Sequence, residues 1–139
     1  MLFLLREENG IGQVLLQKRK GGWGAGMWDA SANGHLEAGE STTACLRREA
    51  KEEIGVDICV EDILFVNMCH DAANGAFYFN GYFFVKKFSG EPQICEPAKC
   101  GELKWFDINS LPEEILPNRK QAIQDYIAKI AYREFGWGG

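Results

Sequence analysis

The sequence predicts a mixed α/β domain, because short apolar runs rich in aromatic and branched residues alternate along the chain with two segments of helical periodicity. Length supports this: 139 residues suffice for one hydrophobic core and fall short of two ordinary domains, so a single domain over residues 1–139 is expected. With 46% apolar and 25% charged residues, the composition sits at globular averages and excludes a disordered, collagen-like or coiled-coil chain.

Taken in order, Leu2 to Leu5 and Gln13 to Leu16 read as two strands joined by the glycine-containing turn Asn9-Gly10-Ile11-Gly12. Lys18 to Gly26 holds four glycines and predicts a flexible loop. Ser41 or Thr42 can cap a helix that runs to Ile54, and Gly55 suits its left-handed end. Leu46, Ala50 and Ile54 give that helix an apolar stripe to lay on a sheet. Ile63 to Cys69 and Phe77 to Val85, around Asn74-Gly75, predict long strands that hold most of the core. A loop from Ser89 to Glu102 leads to a short strand over Leu103 to Phe106. Pro117 opens a second helix with Ala122, Ile123, Tyr126, Ile127 and Ile130 at helical spacing. There is no repeat, low-complexity tract or linker.

A net charge of -5 disfavours nucleic-acid or anionic-membrane binding through bulk charge. Cys45, Cys59, Cys69, Cys95 and Cys100 are odd in number and follow no zinc spacing, which suits a reducing, cytoplasmic setting. Met1 to Leu5 is too short for a signal-peptide core, and no stretch nears the ~18 apolar residues of a membrane span.

On the first helix, Glu49, Glu52 and Glu53 stand at i, i+3 and i+4 and share an arc of about 100°. Such a helix is ordinarily a solvated face paired with Arg47, Arg48 or Lys51. Yet close carboxylates repel by about 4 kcal/mol per pair at an effective dielectric of 20, a cost that fold stability does not require. Converging carboxylate oxygens are what a hard dication such as Mg²⁺ binds while bridging to phosphates.

Context decides between the two. The chain reads Gly34-x5-Glu40-x7-Arg48-Glu49-Ala50-x-Glu52-Glu53-x-Gly55-Val56, a match expected by chance with odds on the order of one in a million. This is the complete signature of the Nudix hydrolases, and the chain resembles the small MutT-like members over most of its length, through Trp28, the aromatic strands and Trp105-Phe106 before Leu111-Pro112. The resemblance implies an α/β/α sandwich around a mixed sheet. It also implies Mg²⁺-dependent hydrolysis, with Mn²⁺ as a substitute, of a nucleoside diphosphate linked to another group. The favoured substrate is a nucleoside triphosphate, modified or not, released as monophosphate and pyrophosphate.

Carried over by position, Glu49, Glu52 and Glu53 match metal-binding glutamates and the Gly34 carbonyl matches a backbone ligand, while Arg48 and Glu40 match the residues that orient them. Glu53 is the favoured general base and Glu52 its first substitute. Glu96 resembles a further catalytic or metal-binding glutamate on a late loop, with Glu102 as its rival. For substrate, Arg19 offers a cation to phosphates, His35 lies inside the signature, and Trp28, Phe77, Tyr78 and Tyr82 could stack on a base or fill a core. His70 is expected to complete strand packing. Ser31-Ala32-Asn33 stands where many relatives carry a proline, so base recognition is not carried over from them.

Two other functions compete: a nucleotide-sensing module of the same fold without turnover, and a hydrolase of a nucleotide sugar or ADP-ribose. A glycosidase pair needs acids facing each other across a sugar-sized gap. The glycine loop fits neither GxxxxGK[ST] nor GxGxxG. Sheet edges leave a homodimer open.

Overall fold

The computed structural model describes residues 1–73 and 75–138. In chain order come β1 (Leu2–Glu8), β2 (Ile11–Arg19), β3 (Trp28–Asp29), α1 (Thr42–Ile54), β4 (Ile63–Asp71), β5 (Tyr78–Val85), β6 (Cys100–Asp107), α2 (Pro117–Ala128) and β7 (Tyr132–Phe135), with a 3-10 turn at Val60–Asp62. Asn9 and Gly10 both take left-handed backbone, φ 53° and 78°. That makes a two-residue hairpin whose twist matches its strands, so pairing runs on to Glu8 and Ile11, beyond the predicted ends.

The sheet is ordered β3-β2-β1-β5-β4-β7, and β6 pairs the other edge of β2. β1 lies antiparallel to β2 and parallel to β5. A strand in that position is covered on both faces, which is why Leu2 to Leu5 is uninterruptedly apolar. Leu2 and Leu4 pack toward α1 with Leu46, Ala50 and Ile54. Phe3 and Leu5 pack toward α2 with Ala122 and Ile123. The result is the α/β/α sandwich expected of the sequence.

Ser41 Oγ caps α1 by accepting from the Ala44 N–H at 3.2 Å, and Gly55 ends it at φ 72° with its N–H on the Lys51 carbonyl. Ile54 has no exposed surface to speak of. Ile54→Ala should therefore cost about 2–5 kcal/mol in a urea titration through lost transfer energy and a residual cavity. A loss under about 1 kcal/mol would mean that α1 does not anchor the helix layer.

Four expectations need correction. The core centres on β1 and β2, not on β4 and β5, where Leu64, Phe65, Phe77, Tyr78 and Phe79 are exposed: Leu64 and Phe65 line an open groove at the end of α2, Tyr78 lines a cleft at its start, and Phe77 and Phe79 stack on Trp137 and His70. There His70 lies on Phe79 at 4.2 Å and beside Trp137, in an open aromatic row. On α2, Ile127 is exposed, and Ile130 lies beyond the helix and is exposed too. β6 begins at Cys100, not Leu103, since it follows β2 through to Arg19. The Asn74 part of the predicted turn lies outside the described residues. Among the described residues no helix is long and apolar enough to cross a membrane.

Candidate active site

Arg48 organises the acidic arc of α1. Its Nε donates to Glu40 Oε2 at 2.7 Å, Nη2 to Glu40 Oε1 at 2.9 Å, and Nη1 to Glu49 Oε1 at 2.7 Å and Glu52 Oε2 at 3.3 Å. This bidentate grip ties the loop before α1 to the helix acids. It holds the Glu40 carboxyl down from 4.5 to about 2, and the hydrogen bonds to Glu40 and Glu49 push the Arg48 guanidinium up. A carboxyl depressed in the folded state contributes stability that is complete above its ordinary value and lost as pH falls toward the depressed one. Glu40→Gln should therefore flatten the fall of the urea midpoint between pH 4.5 and 2. An unchanged acid limb would show that the Arg48 pair does not support the fold.

Two of the three acids converge. Glu53 Oε1 accepts from Gln17 Nε2 at 3.1 Å and Oε2 from the Asn33 N–H at 3.0 Å, while Glu53 also shares a hydrogen bond with Glu49. Burial, reinforced by Glu49 and opposed by Gln17 and Asn33, pushes the Glu53 carboxyl up to about 8. Glu52 is exposed, and among the described residues its side-chain hydrogen-bond partner is Arg48. Among the described residues no three acidic, histidine or cysteine side chains are arranged to hold an ion as they stand. The expected cluster is thus a close pair with a third acid beside it, because Arg48 draws Glu52 outward.

Whether these residues suit a dication is tested by their surroundings. A Cβ at Gly34 would overlap the Glu49 carboxylate, so only glycine lets the backbone lie this close to the acid. Asn33 Oδ1 is buried with no hydrogen-bond partner, an orphaned oxygen beside Glu53. Crowded oxygens, one of them unsatisfied and others on two carboxyl groups held close enough to share a proton, fit a hard cation that would replace that proton.

A cleft of about 500 Å³ opens beside this corner, lined by Asn33, Gly34 and His35 at one end and by Asp71, Tyr78 and Asn118 at the other. Arg19 also lines it, with Nε donating to the Trp23 carbonyl at 2.8 Å and Nη1 to Asp29 Oδ2 at 2.9 Å. The glycine loop is therefore wound around the Arg19 side chain. His35 offers its carbonyl to Arg48 Nη2 at 3.3 Å. Trp28 and Tyr82 are corrected to core residues: Trp28 packs edge-on against Phe106, and Tyr82 is fully buried with its hydroxyl accepting from Arg119. Phe77 is exposed and stacks on Trp137.

The Glu96 loop docks on the end of α1. The Gln93 and Cys95 N–H groups donate to the Ile54 and Glu53 carbonyls at 3.0 and 3.1 Å, satisfying two of the helix's last acceptors. The Glu96 carboxylate itself pairs with Lys99 Nζ at 3.6 Å, and Glu102 sits exposed on β6 across from Lys18.

Three groups of residues escaped the sequence reading. Asp29, fully buried, accepts from Arg119 Nε at 2.6 Å and from Arg19. Asp71 Oδ2 accepts from Asn118 Nδ2 at 2.8 Å and Asn80 Nδ2 at 3.4 Å. Gln17 joins Glu53 to the Ser31 carbonyl. These partners are scattered along the chain and follow no local spacing.

The chain is similar in sequence and fold to known proteins. A relative from Danio rerio named oxidized purine nucleoside triphosphate hydrolase is 35% identical over 106 residues, covering 73% of this chain and 62% of that one. One from Stutzerimonas stutzeri, NAD-capped RNA hydrolase NudC, is 30% identical over 86% of this chain and 40% of its own. The chain thus spans less than two thirds of the length of either. A MutT NUDIX hydrolase from Burkholderia pseudomallei superposes with a TM-score of 0.75 at 27% identity, over 89% of this chain and 94% of that one. The model of the NUDIX domain matches residues 1–126, and with that match the chain belongs to the NUDIX domain family, as a MutT-like member.

Proposed function

We propose that this chain is a Mg²⁺-dependent pyrophosphohydrolase that cleaves a nucleoside triphosphate to the monophosphate and pyrophosphate. The carrying observation is the corner where Gly34 leaves no room for a Cβ against Glu49 and Glu53 binds the neighbouring Asn33 N–H. Glu49, Glu52, Glu53 and the Gly34 carbonyl would hold the ion, with Glu96 the loop acid to join them and Mn²⁺ as a substitute. When bound, the ion supplies positive charge against the phosphate oxygens and makes water a better nucleophile.

The chain's own groups divide the remaining work. Glu53 in its ionised form, which a cation held beside it would favour against burial, takes a proton from the attacking water at a carboxylate oxygen, and Glu52 is the substitute base. Arg48 and Glu40 fix the direction of Glu49. Arg19 adds a cation to the cleft for the phosphates.

The far end of the cleft suits a base. A carboxylate only accepts, so Asn118 and Asn80 turn their amino groups to Asp71 and keep their carbonyl oxygens for a ligand. Such acceptors match a base edge carrying N–H donors. The Danio rerio relative, a purine nucleoside triphosphate hydrolase by name, supports the same substrate class.

The test is a panel of nucleoside triphosphates, nucleotide sugars and ADP-ribose incubated with the protein in Mg²⁺ or EDTA, with products separated by chromatography. Monophosphate and pyrophosphate from triphosphates, in Mg²⁺ alone, is the expected result. Cleavage confined to nucleotide sugars or ADP-ribose would replace the substrate, and no cleavage at all would favour a sensing module.

A further inference from the structure

A second concavity, of about 750 Å³, lies at the other end of the α2 layer. The nucleotide cleft takes Asn118 and Arg119 from the first turn of α2 and Asp71 from the end of β4. This groove takes Ile127 and Lys129 from the end of α2 and Leu64 and Phe65 from the start of β4. Both ligands could therefore sit on one molecule without touching.

Its chemistry is two-sided. Leu5, Leu64, Phe65, Ile108 and Ile127 make its walls, and Leu64, Phe65 and Ile127 are among the exposed large apolar side chains of the molecule. On a chain of net charge -5, the groove carries Arg6, Lys86 and Lys129 against one carboxylate, Glu7. Arg6 is occupied, donating to Gln13 Oε1 at 2.7 Å and lying over Trp105. Lys86 and Lys129 have no ion-pair partner among the described residues.

Lys129 adds an independent sign. It caps α2 in left-handed backbone, φ 58°, with its N–H shared between the Asp125 and Tyr126 carbonyls. Glycine fills that position without strain and lysine does not. A strained residue whose charged side chain lines an apolar groove points to use of the charge.

We infer that this groove binds an acyl-chain carboxylate, its chain on the Leu64, Phe65 and Ile127 wall and its carboxylate met by Lys86 and Lys129. A cavity of this size with apolar walls and few charges is that of a small-ligand site. The apolar walls, mainly Leu5, Leu64, Val66, Ile108 and Ile127 with Phe65 and Tyr126 among them, take an apolar tail, and the cations select an anionic head over a neutral or cationic one.

Decanoate is the probe, with decyltrimethylammonium as the same chain bearing the opposite charge, each titrated into the full chain by calorimetry. Expected is saturable binding of one decanoate per chain, at least tenfold tighter than the cation and undisturbed by nucleotide. Ile127→Glu and Lys86→Glu should each weaken it tenfold or more. Lys129→Gly removes the cation and the strain together, so it should weaken binding with a Tm no lower than that of the unaltered chain. Nucleotide turnover should be unchanged in all three variants. Equal affinity for the two amphiphiles, or unaltered binding in folded Ile127→Glu, overturns the inference. So does sedimentation showing a dimer that Ile127→Glu dissociates, since the groove would then be a contact between copies.

Discussion

Glu53→Gln should lower kcat by about 10²–10⁴-fold, the usual worth of a positioned general base, while the urea midpoint stays where it is. Stability is expected to hold because burial already favours the neutral carboxyl, and a glutamine copies that form. Its carbonyl can accept from the Asn33 N–H, its amino group can donate to Glu49 as the protonated acid does, and Gln17, which loses Glu53 Oε1 as an acceptor, keeps the Ser31 carbonyl. What the amide cannot do is take a proton or carry negative charge. Steady-state kinetics in saturating Mg²⁺ beside a denaturation curve separates the two effects. Turnover within a few-fold of normal would pass the role of base to Glu52.

Asp29→Ala should cost about 3–5 kcal/mol, the characteristic price of leaving one partner of a buried ion pair behind. Both carboxylate oxygens are engaged, Oδ1 by Arg119 Nε at 2.6 Å and the Ala30 N–H at 2.7 Å, Oδ2 by Arg19 Nη1 at 2.9 Å. Arg119 is only 7% exposed and would keep Tyr82 Oη as its remaining acceptor. Desolvation of that guanidinium outweighs the loss of any single hydrogen bond. The glycine loop should loosen as well, since Arg19 spans from Trp23 to Asp29. The check is a urea titration together with proteolysis in the loop. A change below about 1 kcal/mol would mean that water entering from the cleft solvates Arg119.

Legibility in the sequence followed the range of the interactions. α1 was readable to its caps because Ser41, the apolar stripe and Gly55 all act within a turn or two. The corner at Gly34 was readable through a fixed spacing. β7, a strand of four residues lying parallel to β4, left no local pattern, and its pairing of Met68 with Tyr132 is set by folding alone. The same holds for Arg119 and Asp29, 90 positions apart. Aromatic and branched residues in β4 and β5 signalled strands correctly but not burial, since β propensity does not say which face a helix will cover. Trp28 and Tyr82 share that ambiguity, resolved only when α2 and β6 close over them.

The parallel pairing of β1 with β5 also bears on biosynthesis. The Met1 amino group and the Gly81 carbonyl are partners 80 positions apart, so all the residues between them must be polymerised before the central strand finds its second neighbour. Until then Leu2, Phe3 and Leu4 protrude from an emerging hairpin as a greasy unpaired border, the kind of surface that chaperones patrol and aggregates exploit.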